Sequence, residues 1–175
     1  MHDAKVKPAS DIERHTLTVL VDNEAGVLAR VVGLFSGRGY NIESLTVAEV
    51  DPMARTSRIT IVTSGTLAVI EQIEAQLRRL VPTHKVTNWT SAKAGIEREM
   101  ALIKVAGTGE KRVEALRMAD AFRARPVDTT HSSFVFEITG SPAKIDSFVD
   151  LMRPLGLVDV SRTGVAAISR GPEAM

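Results

Sequence analysis

A chain of 175 residues that is 44% apolar is long enough to build one ordinary domain or two small ones with packed cores, which excludes disorder as its whole character. Its 22 basic residues are balanced by 21 acidic ones and scattered, so no global field attracts nucleic acid or an anionic membrane. The absence of cysteine removes disulfides, thiol nucleophiles and thiolate metal sites together and fits a reducing compartment, with the cytoplasm as the natural expectation.

The first 13 residues have neither the apolar core of a secretory signal nor the acid-poor character of a transit peptide, and are expected to be a disordered tail. Residues 16–21, Thr-Leu-Thr-Val-Leu-Val, alternate as a strand does, and residues 26–37 place Val27, Val31, Leu34 and Phe35 on one helical face. Residues 42–50 and 58–63 read as β-branched strands around a hairpin loop that contains Pro52. Residues 66–80 carry Leu67, Ile70, Ile73, Leu77 and Leu80 at helical spacing, stop before Pro82, and lead to a short strand over 85–89. This is β-α-β-β-α-β, in which a four-stranded antiparallel sheet carries both helices on one face.

The order then repeats. Residues 99–105 are strand-like, 110–123 helical, 127–130 and 133–139 strands, 141–153 helical, and 158–168 a last, kinked strand. The expected fold is α+β, with two ferredoxin-like βαββαβ domains in tandem over residues 14–90 and 96–171 and a junction near residues 91–97. The second copy has Gly107-Thr108-Gly109 at its first strand-to-helix junction and no asparagine-bearing turn after the helix, so the duplication is structural rather than functional.

Most information lies in residues 23–45. A polar turn leads through Gly26 into the first helix, and a glycine-rich turn returns Asn41 toward the next strand. Glycine lets the backbone approach a ligand closely, and the first helical N–H groups lack intrahelical partners and favour a carboxylate. Backbone N–H groups around Gly26, Val27 and Leu28 would face the carboxylate of a free amino acid, the Asn41 side-chain oxygen would take its ammonium, and nearby aliphatic residues would enclose a small side chain. The competing reading is an ordinary connection whose glycines only solve turn geometry.

The same segment resembles the glycine-containing ligand turn of ACT domains, with Asn23 and Ala25 where the broad signature has aspartate and proline. The run Gly-Leu-Phe-Ser-x-Arg-Gly-Tyr-Asn-Ile-Glu-Ser-Leu over residues 33–45 is more specific. It is similar to the regulatory small subunit of acetohydroxyacid synthase (acetolactate synthase), as is Ser-Arg-Thr-Gly-Val-Ala-Ala-Ile-Ser-Arg-Gly over 161–171. The resemblance covers about residues 14–171. It implies a subunit without catalytic residues or cofactor of its own that activates a large catalytic subunit and confers feedback inhibition by valine, in branched-chain amino acid biosynthesis. Thiamine diphosphate, Mg and FAD would belong to that large subunit. The resemblance also implies a homodimer formed through the ACT domains, with valine at the interface on Asn23, Gly26, Val27, Leu28, Asn41 and Ile42.

Other chemistry finds little support. Histidines stand singly at positions 2, 15, 84 and 131, each expected to be a surface or capping residue, so no metal cluster is expected. There is no Gly-x-Ser-x-Gly elbow, dinucleotide fingerprint or P-loop. Glu97, Arg98 and Glu99 read as linker solvation, Arg78-Arg79 as a favourable helix C-terminus, and Trp89 as core filling rather than an interface anchor. A stand-alone amino-acid-binding ACT module acting on another enzyme and a small enzyme on the same scaffold remain the rival classes.

Overall fold

The computed structural model describes residues 11–93 and 95–175, so the first ten residues of the expected tail lie outside it. Two compact units emerge, one of residues up to Ile96 together with Ala167–Met175, the other Glu97–Ala166.

In the first unit β1 (Glu13–Asp22), α1 (Val27–Gly37), β2 (Ser44–Asp51), β3 (Thr56–Gly65), α2 (Leu67–Arg79) and β4 (Thr83–Asn88) form an antiparallel sheet of order β2-β3-β1-β4. Alternation sends Leu17, Val19 and Val21 of β1 and Ile59 and Ile61 of β3 toward the helices. There they meet Val31, Leu34 and Phe35 of α1 and Ile70, Ile73 and Leu77 of α2, all buried in one core. The four α1 positions expected to be internal are the four that are buried. Leu67 is not: it is 61% exposed. With 3.6 residues per turn it stands about 120° from Ile73, whereas Val69 stands about 40° away, and Val69 packs on the core instead. Asp51 Oδ1 accepts from the backbone N–H of Met53 and Ala54, both at 2.9 Å, which tightens the β2–β3 hairpin.

The helix-free face of this sheet is covered locally. Asn88 caps a single turn, α3 (Trp89–Ala92), by accepting from the Ser91 N–H at 3.1 Å. Trp89 is buried and donates from Nε1 to Thr18 Oγ1 at 2.7 Å. Gly95 makes room for it, since a Cβ there would lie 2.9 Å from Trp89 Cβ. The reading of Trp89 as core filling agrees with this placement. His15 departs from expectation. It is 3% exposed, beside Asn88, whose amide lies within 3.3 Å of its Nδ1. It continues the inward-facing series of β1 and is neither a surface nor a capping residue.

The second unit repeats the order with β5 (Gly95–Ala106), α4 (Gly109–Ala121), β6 (Arg125–Thr129), β7 (Ser133–Gly140), α5 (Pro142–Met152) and β8 (Leu157–Arg162), in sheet order β6-β7-β5-β8. Phe134, Phe136 and Ile138 of β7 pack with Ile145, Phe148 and Met152 of α5. The expected last strand is two, because the chain turns at Gly164 (φ 85°) before β9 (Ala166–Ser169), which pairs with β5. Glu99 corrects a second expectation. It is 5% exposed on β5, not linker solvation, and Arg162 donates to its two oxygens at 2.8 and 2.7 Å. Among the described residues no helix is long and apolar enough to cross a membrane.

Candidate ligand site at the ends of the first helix

Where β1 ends, the chain is pinned to the β2–β3 hairpin by the Asn23 N–H, which donates to Arg55 O at 2.7 Å. Glu24 N–H closes a tight turn on Asp22 O at 2.9 Å, and Gly26 then adopts φ 86° to redirect the chain into α1. That left-handed conformation strains any residue with a Cβ, and a Cβ at Gly26 would otherwise meet only open space. Backbone geometry, not crowding, selects glycine here. No side chain caps α1 and no acidic residue lies in its first turn; the Val27 N–H turns back to Glu24 O at 3.4 Å, so the positive end of the helix is left open at Leu28. Val27 is buried, and Leu28 is 41% exposed.

Beside this turn lies a cleft of about 320 Å³ lined by Asp22, Asn23, Glu24, Ala54 and Arg55. It offers carboxylates and a guanidinium together, a set suited to the two opposite charges of a free amino acid. Asp22 is partly engaged, with its Oδ1 2.5 Å from His84 Nε2. Sequence reasoning named only Asn23 here. Arg55 lies in a loop 32 positions further on, and only the β1–β3 register, which ends at Asp22 opposite Thr56, brings it across.

At the other end of α1, Tyr40 N–H returns to Phe35 O at 3.0 Å and the Tyr40 hydroxyl reaches Gln72 Oε1 at 3.0 Å. Thr63 Oγ1 donates to the Asn41 carbonyl at 2.7 Å, fixing the backbone while the Asn41 side chain stays exposed. Ile42 is half-buried against the core. Glu43 accepts from the Ser64 hydroxyl and from Arg14 Nε, the latter at 2.9 Å. Its carboxyl is held below its ordinary 4.5, chiefly by the Ser64 hydroxyl, against burial that raises it and with Arg14 adding to the lowering.

A depressed carboxylate stabilises the fold above its ordinary value, and that contribution is lost as pH falls through the lowered one. Ser64→Ala should therefore move the Glu43 titration back up toward 4.5, as followed by carboxyl-carbon NMR. An unchanged Glu43 titration would refute the assignment of Ser64 as the main cause.

The six expected site residues do not converge within one chain. Asn23 is tied to Arg55 and Asn41 to Thr63, eight positions apart on or beside β3. At roughly 3.3 Å per residue the two asparagines anchor near points about 26 Å apart. No single amino acid spans that distance. Gly26, Val27 and Leu28 share the Asn23 end, and Ile42 shares the Asn41 end. Asn23 also uses its side-chain amide on Glu49 Oε1 at 3.1 Å, whereas the Asn41 side chain makes no hydrogen bond among the described residues.

The sheet order and the glycine-opened first helix are compatible with an ACT domain, and the family match assigns the first unit to that regulatory class. The AHAS small subunit-like ACT domain matches residues 17–85, and the family described as small subunit of acetolactate synthase matches residues 98–171. A probable acetolactate synthase small subunit of Archaeoglobus fulgidus is 48% identical over 90% of this chain and 98% of its own length. The acetolactate synthase isozyme 3 small subunit of Escherichia coli is 44% identical over 93% of this chain and 99% of its own. The crystal structure of the acetolactate synthase small subunit from Thermotoga maritima superposes with a TM-score of 0.80 at 36% identity, covering 92% and 99% of the two chains. The chain belongs to the acetolactate synthase small-subunit family.

Proposed function

We propose that this chain activates the large, catalytic subunit of acetolactate synthase and confers feedback inhibition by valine. On this reading it performs no chemistry, and thiamine diphosphate, a divalent metal and FAD belong to its partner. The observation that carries the ligand half of the reading is the split site. One end of α1 has no side-chain cap and, beyond the Val27 N–H that Glu24 O takes, presents the Leu28 N–H to a carboxylate, and the other end offers an unused amide whose oxygen suits an ammonium.

A two-fold pairing that sets the first helices of two copies side by side and antiparallel would bring Asn41 and Ile42 of one copy to Asn23, Gly26, Val27 and Leu28 of the other. The edge strand supports such pairing. β2 is the last strand of its sheet among the described residues, with Val47 and Val50 more than 40% exposed, and the edge strand of a sheet is a template for a second copy. Valine bound across the seam would favour one arrangement of the regulatory dimer, and the catalytic subunit would respond to that arrangement.

The test is reconstitution with the large subunit from the same organism, alongside calorimetry of the small subunit with valine, leucine, isoleucine and an unrelated amino acid. The expected result is raised acetolactate synthase activity, its loss on adding valine, and two bound valines per dimer. A chain that sediments as a monomer at micromolar concentration with valine present rejects the split site. A dimer that binds valine but neither joins nor activates the large subunit is a stand-alone amino-acid-binding module.

A further inference from the structure

The outer face of the first unit carries a charge asymmetry that the ligand site does not use. Along α1 and its capping residue, from Val27 to Arg38, there are two arginines and no carboxylate. These arginines and α2 together line an open groove of about 570 Å³, made of Arg30, Gly33, Leu34, Arg38, Gln76, Arg79 and Leu80. Three guanidinium groups thus border one concavity without an acidic residue in its lining, in a chain whose formal net charge is only +1. The one other arginine on these two helices is compensated: Arg78 pairs with Glu74 at 2.7 Å. Arg30 is anchored, its Nη1 donating to Val81 O at 2.9 Å. Arg38 and Arg79 make no ion pair or side-chain hydrogen bond among the described residues.

Helical neutralisation does not account for the set. Arg79 lies in the last turn of α2, where a cation is favourable, but so does Arg78, which already serves that end. Arg30 stands in the first turn and a half of α1, at the end of the dipole that disfavours cations. The groove is broad as well. Arg30 and Arg38 are eight residues apart on one helix, about 12 Å at 1.5 Å per residue, and Gly33 between them keeps the floor low. Exposed cations spread over such a length, with no buried polar atom directed among them, match carboxylates spaced along a protein segment better than one compact anion.

We propose that this groove between α1 and α2 docks an acidic segment of the catalytic large subunit, through Arg38 and Arg79 with Arg30 at one end. The proposal rests on the reading of the chain as a subunit of that enzyme. Charge complementarity fixes the occupant's chemistry. A partner segment bearing Asp or Glu at two or more positions would neutralise cations that the small subunit leaves unpaired, giving faster and salt-sensitive association.

The test compares the full-length chain with the R38E/R79E variant for binding to the full large subunit by surface plasmon resonance at low and physiological salt. Arg30 is left intact because it holds the Val81 carbonyl in the turn after α2. Wild type should bind with an affinity that falls as salt rises. The variant should bind about ten-fold more weakly or worse, with most of the salt dependence gone. R38Q/R79Q should fall between the two, while calorimetric valine binding and the dimer remain as in wild type, which separates a lost docking surface from a lost fold. Equal binding and salt slopes for wild type and variant overturn the docking surface while leaving the subunit reading intact. Failure of wild type itself to bind the large subunit overturns both. Micromolar binding of inorganic tripolyphosphate that depends on Arg38 and Arg79, with large-subunit binding unaffected by their reversal, would show a small-anion site and reject the docking proposal.

Discussion

Asn41→Ala should lose valine sensitivity and keep activation of the catalytic subunit. Its side chain is exposed and unbonded, and the part of Asn41 that the fold uses is its carbonyl, which accepts from Thr63 Oγ1 at 2.7 Å and survives the substitution. Stability should therefore change little. A lost hydrogen bond to a charged ammonium costs about 1.5 to 3 kcal/mol, equivalent to roughly ten- to hundred-fold weaker valine binding by calorimetry. Stimulation without valine should match wild type, because a ligand contact contributes nothing when no ligand is bound. Asn23→Ala is the less clean counterpart, since its side chain already holds Glu49 and its loss also slackens the turn before α1. Normal valine binding by the Asn41 variant, or joint loss of activation and inhibition, would make residues 23–42 a folding or subunit-contact element.

The split geometry also sets a stoichiometric expectation for mixed dimers. On the proposed interfacial site, a dimer of one wild-type chain and one chain carrying both Asn23→Ala and Asn41→Ala would have both sites damaged, because each would take one asparagine from each copy. A site contained within one chain would leave one of the two intact. Half the valine per mixed dimer, at wild-type affinity, therefore argues for a site within the chain and against the interface.

Much of the fold was legible in the amino-acid sequence because its signal is local. The α1 stripe of Val27, Val31, Leu34 and Phe35 follows from spacing alone, and the strands of both units from alternation and β-branching. Leu67 failed because a helix's phase is set by the whole apolar stripe, and its first-turn residue lies off that stripe. His15 and Glu99 failed for a different reason. Their burial depends on Asn88 and Arg162, 73 and 63 positions away, and no local pattern announces a partner at that distance. The candidate site fell between these cases. Gly26, Val27, Leu28 and Asn41 could be named from the turn chemistry, and Asn23 and Ile42 from the family resemblance, but the separation of the two groups follows from the length of α1 and the β-sheet register.

Glu99→Ala should markedly destabilise the second unit. Glu99 shares the inward face of β5 with Ala101 and Ile103, and Arg162 on β8 grips it with two parallel hydrogen bonds while giving Nη1 to Asp146 Oδ1 on α5 at 2.6 Å. One guanidinium thus ties a strand, its neighbour and a helix together, and Glu99 is the main cause holding its pKa above the ordinary arginine value. Removing the carboxylate leaves that cation half-desolvated with a single exposed partner. Breaking a buried pair costs about 3 to 5 kcal/mol, and the lower end applies because the Arg162 side chain is 36% exposed. The measurement is urea unfolding followed by circular dichroism, with E99M/R162M as the companion. Replacing both charges with apolar chains of similar length should recover most of the loss, since it abolishes the unpaired charge as well as the bond. Valine binding by folded Glu99→Ala protein should be unchanged, because the pair lies in the second unit and the proposed ligand residues in the first. A loss under about 1 kcal/mol would place the pair with ordinary surface bridges, and the burial of Glu99 would then need another explanation.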